Sequence, residues 1–227
     1  MDNEDMAVSL PDLLRQIQSS IEKLESALPD EVDGPSLSST AKIPSAVAYL
    51  RAALSWRFAE LCRDAFESRQ KDRIVSAILL TRAAVETCAA LGYLDRKVNG
   101  SLKLQTVGDL GDYLERLIMG GRNDLDGPEA ISVLTFIDSS EKVVEGIREG
   151  YDHLCEYAHP NWVGTGMLFS NLNCEGRLVG LGRNLRNAGQ SKLIGAINLR
   201  RALLVFEFCY TEITANMPAI IALCEAE

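Results

Sequence analysis

From Leu10 onward the apolar positions recur at steps of three and four: Leu10, Leu13, Leu14, Ile17, Ile21, Leu24 and Leu28. This period predicts an amphipathic helix over about residues 10–27, with Pro11 in its first turn, where a missing N–H is no loss. "PDEVDGPSLSSTAKIPS" follows with three prolines and no period, and reads as a linker or surface loop. Pro44 opens a second helix to about Gln70, with Val47, Leu50, Leu54, Phe58, Leu61 and Phe66 as its apolar set. The third, about Arg73 to Val98, is apolar nearly all round and is expected to be the central, buried helix, with Gly100 past its end. Thr106 is expected to cap a fourth helix through about Met119, stopped by "GGRND". Pro128 opens a short helix over about 128–138. Ser139 or Ser140 then caps a helix with Glu141 in its first turn, which ends at His159-Pro160 because proline cannot continue it.

After Pro160 the period shortens. Two runs, about 166–172 and 176–181, flank "NCEG" and predict a β-hairpin. A last long helix starts near Ser191 and extends to about Leu223, with Pro218 as the point of a bend. The expected fold class is therefore all-α, a helical bundle of about six to seven helices with a β-hairpin inserted before the last long helix. Residues 1–40 form an N-terminal helix and linker, and 41–227 the bundle domain. The first helix is then an arm packed on the body or on a partner.

The 227 residues suffice for one sizeable core and do not demand two. No run of eighteen apolar residues is visible, and the acidic "MDNEDMAVSL" lacks the basic start of a secretory signal. The expectation is a cytoplasmic protein without a membrane partner. Six scattered cysteines with no CxxC pair then read as reduced, buried thiols. No metal site or cofactor is implied, since Cys155 and His159, four apart, have no companion ligands.

Charge changes the picture in one place. The net charge of −9 argues against a general nucleic-acid coat. Yet Gly176 to Phe206 holds no acid and six bases, Arg177, Arg183, Arg186, Lys192, Arg200 and Arg201, so this segment is +6 and the rest −15. These bases either pair with acidic helices elsewhere or face RNA or another phosphate-bearing ligand.

There is no GxGxxG, P-loop, GxSxG or HExxH. Two helical clusters remain. Arg82 and Glu86 stand four apart in the most apolar helix, where a charge must be paired; they either satisfy each other or line a ligand pocket in the bundle core. The second cluster is "YDHLCEYAHPNWVGT", which holds both histidines of the chain. At about 100° per residue, Arg148, Cys155 and His159 share a face, Tyr151 lies about 60° from Arg148, and His153 about 140° away. Lys142 and Glu149 flank the His153 side. His159 is either an acid–base group at a helix C-terminus or a cap that, with Asn161 and Trp162, fixes the turn.

"RAAVETCAALGYL" followed by "FIDSSEKVVEGIREGYDHLCEYAHPNW" resembles a set of bacterial helical proteins carrying a Tyr-x-x-Leu-[Ser/Cys]-Glu-[Phe/Tyr]-Ala-His-Pro-Asn segment. The resemblance covers roughly residues 45–225, and those proteins in turn resemble the HEPN-like group, small helical bundles that include RNA-cleaving toxins and anti-phage effectors. It implies a homodimer whose Arg148 and His153 match the group's Arg-to-His spacing. Arg148 would hold the scissile phosphate, and His153, or His159 in its place, would move protons at the ribose oxygens without a metal. The chain departs from the pattern at Glu149, where an Asn, Asp or His is usual, and its charge repels a phosphate.

Three functions follow. The first is a HEPN-like homodimer acting on RNA or a phosphate-bearing ligand in defence or stress response, with Arg148 and a histidine meeting near the +6 segment. The second is a non-catalytic binding or scaffold module. The third is a small-molecule pocket protein in which Arg82, Glu86, Tyr151 and His159, with Asn161 beside them, contact the ligand.

Overall fold

The computed structural model describes residues 9–121, 127–142, 144–173, 178–183 and 189–227. The chain is an all-α bundle with a two-stranded hairpin before the last long helix. In order, the elements are α1 (Leu10–Ser26), α2 (Gly34–Leu37), α3 (Lys42–Gln70), α4 (Ile74–Leu104), α5 (Leu110–Met119), α6 (Val133–Glu141), α7 (Ile147–Ala158), a π-turn (Trp162–Gly166), α8 (Met167–Phe169), β1 (Ser170–Asn173), β2 (Leu178–Leu181) and α9 (Gly189–Ala226). Two of the α elements, α2 and α8, are single turns, so the longer helices match the expected number.

The hydrophobic period decides where each helix lies. Leu13, Ile17 and Ile21 make one buried stripe on α1, seated on α9 and α3. Ser9 caps α1 by accepting the Asp12 N–H at 3.3 Å. The apolar α4 is central and touches α3, α5, α6, α7 and α9. It is long and apolar enough to cross a membrane by composition, and 56% of that stretch is covered by the rest of the fold. Phe58 of α3 and Phe206 of α9 stack at 4.1 Å between centroids and are fully buried. Each such side chain contributes about 1.5–3 kcal/mol through burial.

Several boundaries differ from the sequence expectation, each for a local reason. Helix α4 runs through Gly100 to Leu104, because one glycine in a well-packed helix costs only about 1 kcal/mol. It closes where Gln105 turns left-handed at φ 53°, with the Gln105 N–H donating to Leu102 O and the Thr106 N–H to Ser101 O. Thr106 thus ends α4 instead of capping α5, which begins at Leu110. Pro128 starts no helix. The Gly121 N–H donates to Pro128 O at 3.2 Å and the Ala130 N–H to Gly121 O at 3.4 Å, which keeps that segment extended until α6. Residues 122–126, which include most of the expected "GGRND" stop, lie outside the described residues.

Ser139 and Ser140 sit inside α6 and cap nothing. The chain breaks after α6 and restarts at Gly146, at φ 83°, where the left-handed backbone suits glycine. The Glu141 carboxylate accepts the N–H of Gly146 at 3.0 Å and of Arg148 at 2.8 Å, and so caps α7 from outside it. Lys142 therefore lies off the histidine-bearing helix. The hairpin is shorter than expected and pairs Ser170 with Leu181 and Asn173 with Leu178. Pro218 lies inside α9.

Candidate functional site

Helix α7 ends as its sequence requires. His159 leaves the helix at φ −78° and ψ 143°, and its N–H still donates to Cys155 O at 3.1 Å. Asn161 then builds the corner. Its Oδ1 accepts the Gly164 N–H at 2.9 Å, and its Nδ2 donates to Glu156 Oε2 at 3.0 Å. Gly164 packs so tightly under this corner that a Cβ there would lie 2.1 Å from His159 O and 2.6 Å from Tyr157 O. Both polar atoms of the Asn161 side chain are thus bonded within the corner.

Among the described residues no hydrogen bond links the three residues expected to carry catalysis. Arg148 is held between two carboxylates: its Nη1 donates to Asp138 Oδ1 at 2.6 Å, and its Nε lies 3.1 Å from Asp152 Oδ2. These partners stabilise the charged guanidinium. His153 and His159 are exposed, and neither ring makes a hydrogen bond among the described residues. The outward face between Arg148 and His153 carries Asp152, Glu149 and Glu156, which disfavour a phosphodiester.

Arg82, Glu86 and Tyr151 do meet, and they bond one another. The Tyr151 hydroxyl donates to Glu86 Oε1 at 2.9 Å and accepts from Arg82 Nη2 at 3.3 Å. Arg82 Nε lies 3.2 Å from Glu86 Oε1 without the alignment of a hydrogen bond, and the guanidinium sits 5.5 Å from the Tyr151 ring centroid. Burial and the Glu86 carboxylate push the Tyr151 hydroxyl up to about 12. The triad is a closed clamp between α4 and α7.

The basic segment is divided. Lys192 pairs with Asp72. Arg200 donates to Gln16 at 3.3 Å, and Arg201 to Gly146 O at 3.3 Å. Arg183 is exposed, while Arg177 and Arg186 lie outside the described residues. Arg201 thus reaches the start of α7, but it holds backbone there.

A wide cleft lies elsewhere, between the second half of α4, the turn before α5, and α6. Its volume is about 620 Å³. Arg96, Lys97 and Lys142 line it together with Tyr93, Thr135, Ser139 and two acids, Asp109 and Asp138. Asp138 is already paired with Arg148, so the bases outnumber the free acids. Arg96 donates to the Ser139 hydroxyl. The Lys97 ammonium lies 3.2 Å from the Tyr113 ring centroid and 5.5 Å from that of Tyr93, which fixes its position at the wall. The "DRKV" run of α4 was the visible signal for this cleft, but its far wall was hidden because α6 was expected too early and Lys142 on the wrong helix.

A second polar cluster was also missed. Asp95 is buried on α4, 6% exposed, and accepts from Asn99 Nδ2 at 2.9 Å. Asn216 of α9 donates to Asn99 Oδ1 at 2.9 Å. Burial and the nearby Glu212 charge push the Asp95 carboxyl up to about 6. Burial, with Asp95 and Glu212, raises the Cys209 thiol to about 12, so it is a poor nucleophile. Among the described residues the cysteines are free, and no three His, Cys, Asp or Glu side chains converge as a metal site would need. No family model, curated protein or solved structure matches the chain.

Proposed function

We propose that the chain is a distant HEPN-like bundle that holds a small phosphate-bearing ligand in the α4–α5–α6 cleft, and that it does not cut RNA with Arg148 and His153. The observation that carries this reading is the convergence of Arg96, Lys97 and Lys142 on one open concavity of about 620 Å³. Fixed cations beside hydroxyls suit a phosphate better than a neutral ligand. The bundle class and the Arg148–His153 spacing support the HEPN-like frame. The two carboxylates on Arg148, and those between it and His153, speak against cleavage.

The test uses wild type, R96A, K97A, R148A, H153A and H159A, each checked for folding by circular dichroism. Pyrophosphate and adenosine 5′-monophosphate are titrated by calorimetry, and total RNA and a labelled tRNA pool are incubated without metal. Binding by wild type that weakens about tenfold in R96A and K97A supports the reading, that being the usual loss for one charged hydrogen bond. RNA cleavage abolished in R148A and H153A would replace it with the ribonuclease. The Arg82–Glu86–Tyr151 clamp favours a second reading, a scaffold without a ligand, which stands if neither probe binds.

A further inference from the structure

We propose that the cleft under the C-terminal end of α1, where that helix meets α3 and α9, binds a neutral aromatic molecule of one or two rings. The apolar stripe of α1 loses its cover there. Leu13, Ile17 and Ile21 are buried, but Leu24 and Leu28, which continue the stripe, stay half-buried and line a cleft of about 210 Å³. Phe58, Leu203, Phe206 and Tyr210 form its other apolar walls. An apolar cavity of about 150 Å³ is enough to hold benzene, so this one has room for two fused rings.

Polar contacts around the cleft keep its shape. Lys23 pairs with Glu207 of α9, and Arg63 of α3 donates to Glu25 through Nε at 2.8 Å and through Nη2. The Trp56 indole N–H donates to Pro29 O at 2.8 Å, which fixes the chain just past Leu28. Walls already in place need little ordering when a ligand enters.

The lining selects the occupant. Phe58 and Phe206 stack at 9°, and Tyr210 lies at 21° to Phe206, so three nearly parallel rings stand at the cleft. The Arg51 guanidinium, 4.7 Å from the Tyr210 centroid, steadies the outermost of them. Rings so ordered favour a flat aromatic guest over a bulky aliphatic one. Lys23 and Glu207 are the charges of the lining, and they are paired with each other. A charged ligand would therefore lose its hydration and find no free countercharge. The Ser55 and Thr211 hydroxyls donate to carbonyls of their own helices at 2.8 Å. The Ser20 and Tyr210 hydroxyls bond to no other described residue, which leaves a hydroxyl on two walls for one polar group of the ligand.

The experiment is calorimetric titration of the full chain with three probes of one carbon skeleton: 2-naphthol, the saturated decahydro-2-naphthol and the charged 2-naphthoate. Wild type, L28W, T211W, Y210F and L181S are compared, each checked for folding by circular dichroism. Wild type is expected to bind 2-naphthol saturably, decahydro-2-naphthol several-fold more weakly, and 2-naphthoate about tenfold or more weakly. L28W and T211W fill the cleft from opposite walls, and either one that folds should weaken 2-naphthol about tenfold or more. Y210F keeps the ring, removes the hydroxyl and should weaken it about fivefold. Leu181 is exposed on β2, outside the lining, and L181S should leave binding unchanged. No saturable binding of 2-naphthol, equal affinity for all three probes, or a folded L28W or T211W that binds as wild type does overturns the proposal.

Discussion

Asp95 is a carboxylate in a place that disfavours its charge. It is buried between α4 and α9, faces Glu212, and has one amide donor, Asn99. Its carboxyl is pushed to about 6 from an ordinary 3.8. Because the folded value lies above the unfolded one, the native state binds the extra proton between them. The penalty is therefore absent below about pH 4, grows as pH rises, and is complete above about pH 6. At about 1.36 kcal/mol per pH unit, its ceiling is about 3 kcal/mol at neutral pH. D95N removes the charge and keeps an oxygen for the Asn99 amide. Chemical unfolding at pH 7.5 should show D95N more stable by about 1–3 kcal/mol, with the difference shrinking towards pH 4. In thermal melts a gain of this size is about 2–4 °C per kcal/mol. D95N no more stable than wild type at pH 7.5, or an offset constant from pH 4 to 8, would refute the reasoning.

Other expected outcomes concern the clamp and the two caps. Y151F leaves Arg82 and Glu86 without their bridging hydroxyl and should cost about 1–2 kcal/mol in urea unfolding. G164A drives a Cβ into two backbone carbonyls and should cost about 2–4 kcal/mol or prevent folding, as judged by circular dichroism and melting. E141A frees the N–H groups of Gly146 and Arg148 and should cost about 1 kcal/mol. The Arg148 and Gly146 N–H donors hold the Glu141 carboxyl below its ordinary value, so its contribution is present at neutral pH and is lost on acidification through that lowered value. The wild-type minus E141A difference should therefore shrink in acid.

The bundle was legible because its long helices announce themselves by period. Leu13, Ile17 and Ile21 repeat every four residues, and α4 is apolar nearly all round, which is why both were placed well. The breaks were less legible. Glu141 acts as a cap from outside the helix it caps, across a left-handed Gly146, and a reading of N-cap serines could not find that. The Arg82–Glu86 pair was visible as a charge problem in an apolar helix, and the structure answers it with Tyr151, a residue 65 positions from Glu86. The cleft needed the third dimension: Arg96 and Lys97 stand beside Lys142 only once α6 packs on α4. Asp95 was hidden because a carboxylate within "LDRKV" looks like a solvated helix end, and only the approach of α9 buries it.

The central claim is that the ligand binds in the α4–α5–α6 cleft and that Arg148 is a tether. The most direct measurement is a map of backbone amide shifts by nuclear magnetic resonance as pyrophosphate is titrated into the isotopically labelled chain. Saturable shifts are expected at Arg96, Lys97, Thr135, Ser139 and Lys142. Shifts confined to Arg148, His153 and His159, or none at all, would contradict it.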